Sequence, residues 1–87
     1  MPTIRTVYRD KKVKVAVICE PPGGVLPVWF EVLGDERVII SEVTARRTSS
    51  RGSAQIITFE LWGGEKKHSL EYNTQDLAWR AGVAVFE

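Results

Sequence analysis

Side chains that chemistry leans on are scarce in this chain: one cysteine, one histidine and one methionine in 87 residues. A single cysteine, Cys19, excludes an intramolecular disulfide, and with it the stapled scaffolds of small secreted domains. One histidine and one cysteine cannot close a tetrahedral metal site, and no acidic cluster has calcium-loop spacing. No metal and no cofactor is therefore expected. Acid–base catalysis wants a histidine or a perturbed carboxylate in a cleft. The one candidate, His68, falls on an apolar strand face opposite Phe59 and reads as a structural side chain near the core edge. A Cys19–His68 nucleophilic pair would need both groups on one face of neighbouring strands, and no third residue suggests itself to orient them. The chain is accordingly read as a non-enzyme with no evident small-molecule substrate; a domain of this size has little room for an enzyme-sized pocket.

Long apolar runs are missing too. The longest are about five residues, against the roughly 20 that span a bilayer. The first twenty residues alternate charge with apolar groups, so they contain no signal-peptide core. Without disulfide, leader or span, the expected location is the cytoplasm. Charge of one sign is also lacking: twelve basic residues stand against eleven acidic ones. What asymmetry exists is local. Residues 1–14 carry five basic groups and one acidic, and residues 46–51 carry three basic, giving patches without a global basic field.

What is present is the pattern of one small β domain covering residues 1–87. The apolar fraction of 44% is ordinary for a globular chain. Thr3–Arg9 and Val13–Glu20 alternate and are rich in β-branched residues, as half-buried strands are. A turn at Arg9-Asp10-Lys11-Lys12 would pair Tyr8 with Val13 and Ile4 with Val17. Pro21-Pro22-Gly23-Gly24 is a hard stop. Leu26–Arg47 then reads as a long hairpin hinged on Gly34-Asp35-Glu36-Arg37, closed by either a two-residue loop at Gly34-Asp35 or a four-residue loop through Arg37, and a bulge near Ile40-Ser41 would reconcile its halves. Val28, Phe30 and Val32 share one face of it, and Trp29, Glu31 and Leu33 the other. Thr48–Ser53 is a flexible loop by composition.

The clearest hairpin follows. AQIITFELW and EKKHSLEY flank Gly63-Gly64, a pair suited to a two-residue turn. Closure there sets Glu60 opposite Lys67, Thr58 opposite Ser69, Phe59 opposite His68 and Ile57 opposite Leu70. Asn73–Asp76 is a turn. The tail LAWRAGVAVFE is either a last strand or a single helical turn capped by Thr74, and Val83, Val85 and Phe86 favour the strand. The expected fold is all-β: a six- or seven-stranded antiparallel meander forming a small barrel or compact sandwich.

Leu26-Pro27, Phe30, Gly34, Ile40, Val43, the Ser/Gly loop, Thr58-Phe59, Leu70-Glu71-Tyr72 and Trp79 together resemble a group of short uncharacterised bacterial proteins. The resemblance covers about residues 26–79. It departs at Leu33, where the group has an aromatic, and at Val38, where it has a tyrosine. It implies a small bacterial β domain and no particular activity.

Two functional classes fit such a domain. In the first it binds a protein partner or itself, as an uncharacterised interaction module. Cys19 in its alternating run reads as a buried small residue. Trp29 and Trp62 fall on nominally outer faces, either packed under the N-terminal hairpin, which is favoured, or left as an apolar patch that marks an interface. The apolar tail around Val83, Val85 and Phe86 offers a docking strand. The alternative is a small barrel binding single-stranded nucleic acid, with Arg46, Arg47, Arg51, Lys66 and Lys67 tracking the backbone and Trp62 as the stacking platform. There, Lys67 is expected to be engaged by Glu60.

Overall fold

A computed structural model describes residues 4–8, 12–21 and 24–86, and every regular element among them is a β-strand. In chain order these are β1 (Ile4–Tyr8), β2 (Val13–Glu20), β3 (Gly24–Val32), β4 (Val38–Ile39), β5 (Glu42–Arg51), β6 (Ala54–Gly63), β7 (Lys66–Asn73) and β8 (Ala78–Phe86). They form a five-stranded antiparallel sheet in the order β1-β8-β7-β6-β5 and a three-stranded one in the order β2-β3-β4. Period-2 patterning thus yields the expected all-β antiparallel domain, as two packed sheets.

The core lies between the sheets. Phe30 and Val32 of β3 meet Phe59 and Leu61 of β6, Leu70 of β7 and Ala81 of β8. Val13, Val15, Val38, Ile40, Val43, Ile57 and Trp79 flank them. Trp79 stacks on Phe59 with centroids 6.1 Å apart and meets Tyr72 at 4.7 Å. His68 is buried on this same face, edge-on to Phe30 at 5.3 Å.

Several pairings differ from those the sequence suggests. β1 does not fold back on β2; it closes the large sheet against β8, from Ile4 opposite Phe86 to Tyr8 opposite Gly82. Residues 9–11 of the turn expected there lie outside the described residues. Gly82 explains part of the preference. A Cβ on it would sit 2.7 Å from Thr6 Cγ2 and 3.0 Å from Tyr8 Cδ1, so only a glycine lets the Tyr8 ring lie across the sheet. β2 instead pairs with β3 around the proline–glycine stop, from Val13 opposite Val32 to Glu20 opposite Gly24.

The long hairpin of residues 26–47 is cut short. Only Trp29–Ile39 and Phe30–Val38 pair across it. Where a bulge was expected, the chain changes sheets: the Ile40 amide donates to Val28 of the small sheet, and the next amide, Ser41, donates to Trp62 of the large one. Neighbouring donors are satisfied by different layers, so one expected strand becomes β4 and β5. Nor is Thr48–Arg51 a loop. It continues β5 along β6, with Arg51 opposite Ala54 across a turn at Gly52-Ser53. A paired backbone overrides a composition that carries no strand preference of its own.

The hairpin between β6 and β7 has the expected strands and faces in a register two residues away. Glu60 opposes Ser69, Phe59 opposes Leu70, and Gly63 opposes Lys66. The turn is Gly64-Glu65, and of its two residues only Gly64 has positive φ (66°), the pattern of a type II′ turn. Gly63 lies in the strand opposite Lys66, packed so closely on Val38 that a Cβ there would strike the valine side chain. The tail forms β8, as favoured, and no helical turn is present at residues 77–82.

Candidate interaction face

Alternation along β3 decides what the outer face of the small sheet presents. Phe30 and Val32 point into the core, so Trp29, Glu31 and Leu33 point away from it. Cross-strand pairing fills in the rest: Lys14 lies opposite Glu31, Ala16 opposite Trp29, and Ile39 flanks Trp29 from the other side. A register shift after Ala16 brings Ile18 opposite Leu26 on this same face. One row, Ala16–Trp29–Ile39, therefore crosses all three strands, with a second apolar pair beside it. Their exposure is high: 48% for Ile18, 43% for Leu26, 61% for Ile39 and 68% for Leu33. Isolated exposed leucines mean little, but a contiguous apolar strip on one sheet face marks a contact surface.

Trp29 itself is half-buried, and the cover is cationic. The Arg37 guanidinium lies 3.7 Å from the ring centroid, and Lys14 Nζ lies at 5.9 Å. The Arg37 Nε donates to Glu31 Oε1 at 2.8 Å, which holds the guanidinium over the indole. An aromatic stacked under a tethered arginine combines the two residue types most enriched where protein surfaces bind.

The outer face of the large sheet is built differently. Arg47 pairs with Glu60, whose other oxygen accepts from Ser69 Oγ at 3.0 Å. Arg51 grips Glu71 with two donors, at 2.8 and 3.4 Å, and Glu71 is only 5% exposed. That contact holds the Arg51 proton more firmly than usual. Tyr8 lies across Gly82 with the Arg80 guanidinium 5.6 Å from its ring. Burial first, then the charges of Glu71 and Glu60, push its phenol above the ordinary tyrosine value, and Arg47 and Arg51 offset part of this.

These arrangements divide the residues expected to bind nucleic acid. Arg47 and Arg51 are spent on carboxylates of the sheet, and Glu60 takes Arg47 and Ser69 rather than Lys67. Arg46 lies opposite Phe59, on the other face of β5 from Arg47. Lys67 lies directly opposite Trp62, which is 37% exposed, whereas Lys66 opposes Gly63 and points the other way. Of the expected set, Arg47, Arg51, Trp62 and Lys67 thus share the outer face of the large sheet, the two arginines paired with Glu60 and Glu71, and Arg46 and Lys66 lie on the other face.

The residues expected at an interface divide as well. Trp29 and Trp62 are on the outer faces of different sheets, so the core separates them. Neither packs under an N-terminal hairpin. Val83 is half-buried and faces the space between the sheets. The backbones of Val85 and Phe86 pair with Arg5 and Ile4, and their side chains lie outside the described residues. β7 pairs with β8 over Ala78–Val83 and β1 over Gly82–Phe86, so both sides of β8 are paired at Gly82 and Val83 and one side elsewhere. Cys19 is exposed rather than buried, because β2 and β3 run on past the core: Val13 and Val15 pack against it, while Val17 is 39% exposed.

Cys19 and His68 do not meet. Cys19 pairs with Val25, whereas His68 shares a cavity with Val32 at the other end of β3. Seven residues of strand, about 23 Å, separate these ends. Among the described residues no group of three histidine, cysteine or acidic side chains could hold a metal ion, and no helix is long and apolar enough to cross a membrane. Ile18, Leu26 and Ile39 are exposed apolar residues of this face that the sequence does not single out. For Ile18 the signal is VKVAVICE, whose second face carries Ala16 and Ile18 between Lys14 and Glu20. Comparison with family models, curated proteins and solved structures finds no match for this chain.

Proposed function

We propose that the protein is a small binding module that docks a partner protein through the outer face of its three-stranded sheet. The observation that carries this is the apolar row Ala16–Trp29–Ile39 with Ile18 and Leu26 beside it. Burying such a strip is favourable by about 25 cal/mol for each Å² removed from water. Lys14, Arg37 and Glu31 give the strip a charged margin in which the two cations outnumber the one carboxylate. A partner with an apolar centre and a predominantly acidic margin complements it. A cytoplasmic place of action belongs to the same proposal and draws on the unpaired thiol of Cys19.

A photo-reactive side chain introduced at Ile39 in cells tests the reading, with the same group at Thr58 on the opposite face as control. A discrete adduct from position 39, lost on adding Ile18→Lys, is the expected result. No adduct, or equal adducts from both faces, would end the proposal. A second reading, binding of single-stranded nucleic acid, draws support from the exposed Trp62 beside Lys67. It requires amide shifts at those two residues on adding short oligonucleotides, reversed by salt; their absence removes it.

A further inference from the structure

At one end the sheets stand apart, where the loop between β3 and β4 approaches the turn between β6 and β7. A cavity of about 200 Å³ opens there. Its apolar wall is Phe30, Val32, Val38, Ala81 and Val83, with His68 among them. Charges of both signs stand around it: Asp35 and Glu36 from the loop and Lys66 from the start of β7, all exposed. Gly63 also lines it, at a position where a side chain would strike Val38.

From this combination we infer that the cavity is a binding site for a small zwitterion with an apolar side chain, of the size of a free hydrophobic amino acid. The volume equals the liquid share of about six or seven waters, too much for one trapped solvent molecule. It is also below the roughly 300–1,000 Å³ of drug-sized or large-cofactor pockets. A branched or aromatic side chain matches the wall formed by Phe30, Val32, Val38, Ala81 and Val83. At the mouth, the ammonium of such a ligand faces the Glu36 and Asp35 carboxylates, and its carboxylate faces the Lys66 ammonium. A simple fatty acid would satisfy only Lys66, and a simple amine only the acids. This site lies between the sheets and does not depend on the docking face.

The test is an amide NMR titration of the full chain with L-leucine and L-phenylalanine, against leucinamide and N-acetyl-leucine, which each lack one charge. Saturable shifts at Gly63, His68, Ala81 and Val83 are expected, with each control weaker by about two- to fivefold, the effect of one lost exposed ion pair. Glu36→Gln, at an exposed loop position, should weaken the amino acid and leave N-acetyl-leucine unchanged. Lys66→Ala should weaken the amino acid and leave leucinamide unchanged. Ala81→Leu should fill the cavity and abolish the shifts; should it unfold the chain, the two exposed variants still decide. No saturable shift would overturn the inference. So would leucinamide or N-acetyl-leucine binding as tightly as the free amino acid, which would point to a chain terminus or an apolar body alone.

Discussion

The two sheets share one core and treat their opposite faces in contrary ways. On the large sheet, Glu60, Glu71, Ser69, Arg47 and Arg51 satisfy one another, and Tyr8 lies down over Gly82. A partner landing there would have to take apart contacts already made, some of them around a carboxylate that is nearly buried. On the small sheet, Ile18, Leu26 and Ile39 are exposed, and Trp29 lies under the Arg37 guanidinium with the Lys14 ammonium nearby. Polar groups facing water cost little, and apolar groups facing water are an opportunity for contact. The first face satisfies its own polar groups, and the second leaves apolar groups in water.

The comparison breaks most drastically at the layer both sheets share. Leu70→Ala should cost about 2–5 kcal/mol, and urea unfolding followed by fluorescence and by circular dichroism should still show one transition. Separate transitions for the two probes would mean that the sheets are independent and the contrast between their faces is accidental. Gly82→Ala comes next. Its methyl group meets Thr6 and the Tyr8 ring, and overpacking of that kind costs about 1–3 kcal/mol, read as a lowered thermal midpoint. A neutral outcome would show that the polar face of the large sheet is looser than its contacts imply.

Ile18→Lys should dissociate the two properties. At 48% exposure it should change stability by no more than about 0.5 kcal/mol, while the cross-link from position 39 disappears. A large loss of stability would reassign Ile18 to the fold and sink its role in binding. The smallest effect concerns pH. Because the Tyr8 phenol titrates above its unfolded value, the unfolded chain releases that proton first. The stabilisation is therefore complete below about pH 10 and is lost as the pH rises through the folded value. Tyr8→Phe should flatten that alkaline slope in denaturation midpoints, and an unchanged slope would assign it to another group.

Strand identity was legible in the sequence wherever alternation was strong, as in AQIITFELW, and there even the faces came out right. Register was not, because a glycine pair does not reveal which member turns and which packs: Gly63 packs on Val38, and Gly64 makes the turn. The partner of β1 was illegible for a related reason. Adjacent segments joined by a polar tetrapeptide suggest a hairpin, whereas the notch that receives Tyr8 is made by Gly82, far along the chain. At the candidate face, Trp29 could be placed outward from its alternation with Phe30. Ile39 could not, because VII offers no alternation and its facing depends on where the chain crosses between sheets. The run VKVAVICE reads as an alternating strand with Val13, Val15 and Val17 on one face, which leaves Ile18 on the other without marking it as part of a strip.

The pairing of β1 with β8 also sets the order of assembly. Hairpins from β5 to β8 join neighbours in the chain and need only short loops to close. β1 must instead find a partner across nearly the whole chain, Ile4 opposite Phe86, and entropy penalises such closure before any contact rewards it. As the chain is synthesised, β1 emerges first and stays without its partner until β8 is complete. Until then one edge of the large sheet is open, which makes the wait for β1 the interval in which the nascent chain is most exposed to mispairing.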